Sequence, residues 1–307
     1  MLEIVQRIET QTREGGSGGI KTGFPMFDSH TDGLQPGLII IAGRPNQGKT
    51  AFACQMAWNM ATGTDNKVYA LYISIDDSLR DTVARVVALD RRIPIAAVKF
   101  PDRHPAYVRM REAGFQRLAH AVRAFKVLDQ TSVQSIEALE EVVREHLLAL
   151  ELAREGRQLV LFVDSFHDLI VEKRGDLDRS QRYEVVASEL ERMAQVYSIP
   201  VICTAEVRKV NSNRRLIFED VRETIKICYK AKLIGLIHND VDCKGENSPM
   251  FWTDKNGRIR PVLEFHFAKN KLSSFKGRLF YRFIPEFSSV VEVTSEDNKR
   301  YLSKIME

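Results

Sequence analysis

Residues 43–50 read GRPNQGKT, with two glycines, a lysine and a hydroxyl at a spacing suited to gripping a polyphosphate. Gly43 and Gly48 let the backbone curl so that its N–H groups point inward. Arg44, Pro45, Asn46 and Gln47 form the loop between them. Ala51 follows in the first turn of a helix whose dipole favours anionic phosphate. Lys49 is placed to contact the β- and γ-phosphates, and the Thr50 hydroxyl to hold Mg²⁺. ATP and Mg²⁺ are therefore the predicted ligands. The competing reading, a glycine turn with an exposed lysine, fits poorly with the apolar strand before this loop and the amphipathic helix after it.

Such a loop needs carboxylates beside it. LVLFVD ends in Asp164 after five apolar residues, the form expected of an acidic group that leaves a buried strand and holds Mg²⁺ through water. A turn or cap role is the alternative. A second carboxylate should orient the attacking water. The run VYALYI leads into Ser74-Ile75-Asp76-Asp77, so Asp76 or Asp77 would emerge at the carboxyl edge of the sheet, where ligands bind in such folds. Either could instead cap a helix starting near Ser78, and spacing alone does not choose.

Apolar runs at 38–42, 68–73, 159–163 and 199–203 alternate with helical patterns at 49–61, 79–89, 107–125, 136–154 and 182–196. That alternation predicts an α/β fold with a doubly wound, mostly parallel sheet. Runs at 233–237, 260–267, 278–283 and 290–293, with a turn near Asn256-Gly257, predict an antiparallel C-terminal extension. Met56 and Trp58 read as core. At the start, Leu2, Val5 and Ile8 stripe a short helix over 2–14, and GGSGG at 15–19 is a flexible tether. Residues 1–19 thus read as a linker helix with its tether, and 20–307 as one domain. So short a helix is marginal alone and should dock on its own domain or on a neighbouring subunit.

Composition excludes several classes. No apolar run approaches the roughly 18 residues of a membrane-spanning helix, and the first residues lack the apolar stretch of a secretory signal. Cys54, Cys203, Cys228 and Cys243 lie far apart with no C-x-x-C pair. That argues against a disulfide framework or zinc site and for a reducing cytoplasm. A net charge of +4 is compatible with a nucleic-acid partner.

On these residues the chain resembles the C-terminal RecA-like motor domain of the DnaB-type hexameric replicative helicases. The matching stretches span nearly the whole sequence. They include TGFPMFDSHTDGLQPGLIIIAGRPNQGKTAFACQMA at 22–57, YISIDDS at 72–78, FVDSFHDL at 162–169 and DRSQRYEVVASEL at 178–190. VICTAEVRK at 201–209, VRETIKICYKAKLIGLI at 221–237 and HFAKNKLSSFKG at 266–277 continue the match. The resemblance implies a P-loop NTPase and an ATP-hydrolysing DNA helicase. It also implies a head-to-tail homo-oligomer, a hexameric ring that translocates on single-stranded DNA. On that match Asp76 takes the place of the family's catalytic glutamate, one methylene shorter. Glu206 stands where a polar amide senses the γ-phosphate. Lys269 and Lys271 occupy positions that reach into a neighbour's nucleotide site, with Lys271 replacing the usual Arg and its planar bidentate fork. Arg222, Glu223 and Lys226 fall in the DNA-facing loop, where Ile225 replaces a Gly whose backbone approaches phosphate. The helix over 2–14 resembles the family's linker helix, which packs on an adjacent subunit. The family's N-terminal primase-interacting domain is expected to be missing, and a primase, a loader or other replication proteins are the implied partners.

Basic residues gather in predicted loops: Lys173, Arg174, Arg179 and Arg182, then Arg208, Lys209, Arg214 and Arg215. In a ring these would face the central channel and track a strand's phosphates; otherwise such a cluster is a solvated surface. His167, close to Asp164, reads as a packed or exposed histidine. The alternative function is a RecA- or KaiC-like assembly or regulatory ATPase that binds nucleotide and DNA or protein without unwinding. Glu206, Ile225 and Lys271 favour it.

Overall fold

A continuous apolar run becomes a parallel strand when helices cover both faces of its sheet. The strand β1 (Gly37–Gly43) behaves this way, with every residue buried. The computed structural model describes residues 18–63, 67–172, 176–208 and 214–306, with the backbone alone at 222–227 and 246. The expected leading helix, Lys173, Arg174 and Lys209, and the side chains of Arg222, Glu223, Ile225 and Lys226, lie outside the described residues.

The remaining strands are β2 (Val68–Ser74), β3 (Phe125–Asp129), β4 (Gln158–Asp164), β5 (Pro200–Glu206), β6 (Leu233–Asn239), β7 (Phe251–Thr253), β8 (Ile259–Asn270), β9 (Arg278–Ile284) and β10 (Ser289–Glu292). They form one sheet in the order β10-β9-β8-β6-β1-β5-β4-β2-β3, with β7 beside β8. The helices are α1 (Pro25–Thr31), α2 (Lys49–Thr62), α3 (Leu79–Arg91), α4 (Ile95–Lys99), α5 (Val108–His120), α6 (Ile136–Ala153), α7 (Arg179–Val196), α8 (Ile225–Lys230), α9 (Asp240–Lys244) and α10 (Ser295–Met306). One face of the sheet packs on α2 and α3 through Phe52, Met56, Trp58 and Val86. The other packs on α6 and α7 through Ile136, Leu139, Val143, Val186 and Leu190. Ile136, Leu139 and Val143 recur at helical spacing, which is the amphipathic stripe that aims α6 at the core.

Two expectations need correction. The run at 233–237 is not simply part of the antiparallel extension: β6 pairs parallel with β1, and only its other side meets antiparallel β8. An apolar run carries no sign of chain direction, and here the direction is set by the connection through α8. The helix expected over 107–125 ends at His120, and Phe125–Asp129 forms an edge strand beside β2. Only two of its five residues are buried, so it lacks the continuous apolar signature of the inner strands. The turn expected at Asn256-Gly257 is present between β7 and β8, with Gly257 at φ 75°.

Register decides where the strand ends fall. Gly43 sits opposite Glu206 and Ser74 opposite Asp164. Their carboxyl ends therefore line one rim of the sheet.

The β6–β8 pairing contains a shift at Ile234/Gly235, where the ring of Phe265 lies over the glycine. A methyl group at 235 would fall inside that ring. Phe265 cannot retreat, because it packs on Phe52 at 5.2 Å and Phe27 at 5.5 Å between ring centroids. Gly235→Ala should therefore lower the unfolding free energy by about 1–3 kcal/mol. A urea titration would register this as an earlier midpoint, and an unchanged midpoint would refute the packing argument.

Candidate active site

The loop at 43–50 closes on itself as its glycines dictate. Asn46 and Gly48 adopt left-handed φ of 61° and 93°. A side chain at Gly48 would be strained by that φ and crowded by Leu263 at 3.1 Å and Phe283 at 3.4 Å. Gln47 is buried and anchors the loop to β6 and α9: its Oε1 accepts from the Asn239 N–H at 2.6 Å and its Nε2 donates to Asp242 at 2.6 Å. Arg44 donates to the Arg214 carbonyl at 2.9 Å. The side chains of Gln47 and Arg44 therefore scaffold the loop. Pro45, Asn46, Gly48, Lys49, Thr50 and Ala51 form the loop's wall of a cavity of about 930 Å³.

Lys49 enters this cavity from the first turn of α2 and donates to the Arg44 carbonyl at 2.9 Å. Burial lowers its pKa, while Glu206, Asp164 and Asp76 oppose that shift. Asp164 ends β4 as expected, and three hydroxyls fix its carboxylate. Tyr72 donates to Oδ2 at 2.7 Å, and Thr204 and Thr50 donate to Oδ1, Thr50 from 3.3 Å. Neither the turn nor the cap alternative describes it.

The choice left open between Asp76 and Asp77 is resolved by their partners. Ser78, not either aspartate, caps α3 by accepting from the Asp81 N–H. Asp77 is held by Arg85 at 2.7 Å. The Asp76 carboxylate faces the cavity with no hydrogen-bond or ion-pair partner among the described residues. Its pKa is raised, first by desolvation and then by Asp168, Asp77, Asp164 and Glu206. A carboxylate pushed toward neutrality is a better proton acceptor than an ordinary one.

Glu206, at the end of β5, lines the same cavity. Lys269 and Lys271 do not. Lys269 donates to the carbonyls of Cys228 and Tyr229, the second at 2.9 Å, at the end of α8, where a cation suits the helix dipole. The exposed Lys271 is anchored only through its backbone, which donates to the Lys232 carbonyl.

The basic loop residues separate into two groups. Arg214 and Arg208 are paired with buried Asp220, at 2.7 and 3.5 Å, and Arg215 with Glu264 at 2.7 Å, so they brace the fold. Arg179 and Arg182 line the phosphate-loop cavity. This corrects their expected placement on a loop apart from it. The capping box of Asp178 and Gln181 starts α7 at Arg179, and the spacing i, i+3, i+4 brings Arg179, Arg182 and Tyr183 to one face. Arg179 donates to the Tyr183 hydroxyl at 2.6 Å.

His167 is packed, and it lines the cavity as well. It is buried in the cavity wall against Phe166 and Tyr183, with ring centroids at 4.1 and 4.6 Å. Burial first, then Arg179, Lys49 and Arg182, lowers its pKa to about 3. The unfolded chain takes up this proton below about pH 6.5 and the folded chain does not. Its contribution to stability is complete above pH 6.5 and is lost as the pH falls from 6.5 toward 3. At pH 5 the loss should reach about 2 kcal/mol. Comparing urea midpoints of the parent and His167→Gln at pH 7.5 and pH 5 isolates this effect. Equal acid sensitivity in the two proteins would contradict it.

A triphosphate and its cation fit this donor set. The loop presents backbone amides and Lys49, while Thr50 and Asp164 present two oxygens side by side. Among the described residues no cluster of three His, Cys, Asp or Glu side chains could cage a metal alone. Mg²⁺ needs no such cage, because phosphate and water complete its shell.

Comparison with known proteins agrees with this geometry. The family model for the DnaB-like helicase C-terminal domain matches residues 19–278. The replicative DNA helicase DnaC of Bacillus subtilis (strain 168) is 24% identical over 302 residues, covering 95% of this chain and 61% of that protein. The replicative DNA helicase DnaB of Haemophilus influenzae is 25% identical over 293 residues, covering 92% and 60%. The chain thus spans about three fifths of the length of these relatives. A solved structure of an isolated ATPase domain superposes with a TM-score of 0.77 at 21% identity, covering 96% of this chain and 99% of that one. A DnaB-like replicative helicase, solved in a study of its interactions with primase, superposes with a TM-score of 0.77 at 20% identity, covering 96% and 67%. With the model matched across most of its length, this chain belongs to the DnaB-like helicase C-terminal domain family.

Proposed function

We propose that this chain binds ATP with Mg²⁺, hydrolyses it, and uses the cycle to move along single-stranded DNA as the motor of a head-to-tail hexameric ring. The observation that carries the proposal is the unpartnered Asp76 carboxylate, which shares one cavity with Lys49, Thr50 and Asp164. Lys49 and the loop amides would bind the phosphates, and Thr50 and Asp164 would hold Mg²⁺. When bound, the cation would neutralise charge that develops on the phosphates. Asp76 would orient the attacking water, with Glu206 beside it. Arg179 and Arg182 add positive charge from the same chain. Lys269 and Lys271, which do not reach this chain's own cavity, are assigned to a neighbour's site in the ring. The DNA contacts are assigned to Lys173, Arg174, Arg222, Glu223 and Lys226. A primase is the candidate protein partner, because a similar helicase was solved in a study of its interactions with primase. No helix among the described residues is long and apolar enough to cross a membrane.

ATP turnover with and without single-stranded DNA, followed by strand displacement on a forked duplex, tests the proposal. DNA-stimulated turnover with displacement supports it. Turnover without displacement supports an assembly or regulatory ATPase instead, and absence of turnover refutes both. Mixing Lys269→Ala protein with Lys49→Ala protein should recover part of the activity that each lacks. Strictly additive behaviour of the mixture would argue against sites shared between subunits.

A further inference from the structure

The two ring nitrogens of His167 have unequal surroundings. Nδ1 accepts a hydrogen bond from the Glu206 backbone N–H at 3.3 Å. A nitrogen that accepts carries no proton, so the neutral ring bears its proton on Nε2. Phe166 and Tyr183 clamp the ring, and Arg182 donates to the His167 carbonyl at 3.4 Å. His167 is 8% exposed and lines the cavity. Its Nε2 has no hydrogen-bond partner among the described residues, yet it is not sealed away from the cavity. It is therefore a neutral donor without a protein acceptor.

Glu206 makes that donor consequential. It stands on the same rim, and after burial it is the foremost charge acting on Lys49. An ionised carboxylate accepts hydrogen bonds and repels phosphate, so it cannot donate to a terminal phosphate oxygen. The donor missing from the Glu206 side chain is supplied by the ring that its own backbone orients.

We infer that the Nε2–H of His167 donates to the terminal phosphate of a bound triphosphate and makes the site prefer a triphosphate over a diphosphate. This rests on the nucleotide binding proposed for the same cavity. His167→Asn and His167→Gln separate this role from a structural one. The Asn carbonyl can keep the acceptor facing Glu206 but has no atom at the Nε2 position, whereas the Gln amide can reach that position.

Calorimetry on the full chain with Mg²⁺ should compare a non-hydrolysable ATP analogue with ADP. His167→Asn should bind the analogue about tenfold more weakly, the usual worth of a hydrogen bond to a charged group, with ADP affinity unchanged. His167→Gln should stay within about twofold of the parent for both nucleotides. Unchanged ATP-analogue binding by His167→Asn, or equal weakening toward both nucleotides, overturns the inference. ADP binding by each variant reports whether its site is folded. A parent protein that binds neither nucleotide would remove the underlying proposal as well, a result distinct from either of these.

Discussion

Asp76→Asn should lower ATP turnover by about a hundred- to ten-thousand-fold while leaving nucleotide affinity equal or slightly tighter. The asymmetry follows from position. The Asp76 carboxylate has no hydrogen-bond or ion-pair partner to lose among the described residues, so the fold does not depend on it. Its charge lies among Asp168, Asp77, Asp164 and Glu206, so removing it relieves repulsion toward an incoming triphosphate. What the amide cannot do is accept a proton from water. Asp77→Asn is the matched control, since Asp77 is tied to Arg85 and its loss should appear in stability before turnover. Asp76→Glu restores the longer side chain usual in the family and should retain turnover within about tenfold. Steady-state kinetics with parallel calorimetry would check all three. Full turnover in Asp76→Asn would move the role to Glu206.

The contrast between Asp76 and Asp77 shows where a sequence stops being informative. The phosphate loop is legible because its chemistry is contiguous: the residues that bend the backbone and those that bear charge are neighbours. Asp164 is legible because a charge at the end of a buried apolar strand is costly unless donors or a cation compensate it. Asp76 and Asp77 are not separable by spacing, because adjacent residues at a strand end point to opposite sides and only their surroundings decide between them. Ser78 and Arg85 make the difference, one by capping α3 and the other by holding Asp77. The place of Arg179, Arg182 and His167 in the cavity wall is hidden for a related reason. Their destination depends on how α7 leaves its capping box and on the β4–β5 register, which brings the Glu206 backbone to the imidazole. Neither is a local property of the sequence. The direction of β6 is hidden in the same way, since its composition suits either orientation.

Lys49→Ala should lower turnover by about a hundred- to a thousandfold or more, and unlike Asp76→Asn it should also remove nucleotide binding. Lys49 is the cation of the phosphate loop and is 9% exposed. Asp76, Asp164 and Glu206 all act on it. Without it, those carboxylates would face a triphosphate with less compensation, and the loss would fall on binding as well as on the chemical step. The unliganded fold should tolerate the change. The hydrogen bond to the Arg44 carbonyl is lost, but so is the cost of burying a charge that desolvation already disfavours. Thermal melting with and without Mg·ATP reads both consequences. At a hundredfold excess over its dissociation constant, nucleotide should stabilise the parent by about 2.7 kcal/mol. The variant should melt near the unliganded parent and show no shift on adding nucleotide. A nucleotide-dependent shift preserved in Lys49→Ala would place the binding site elsewhere in the molecule.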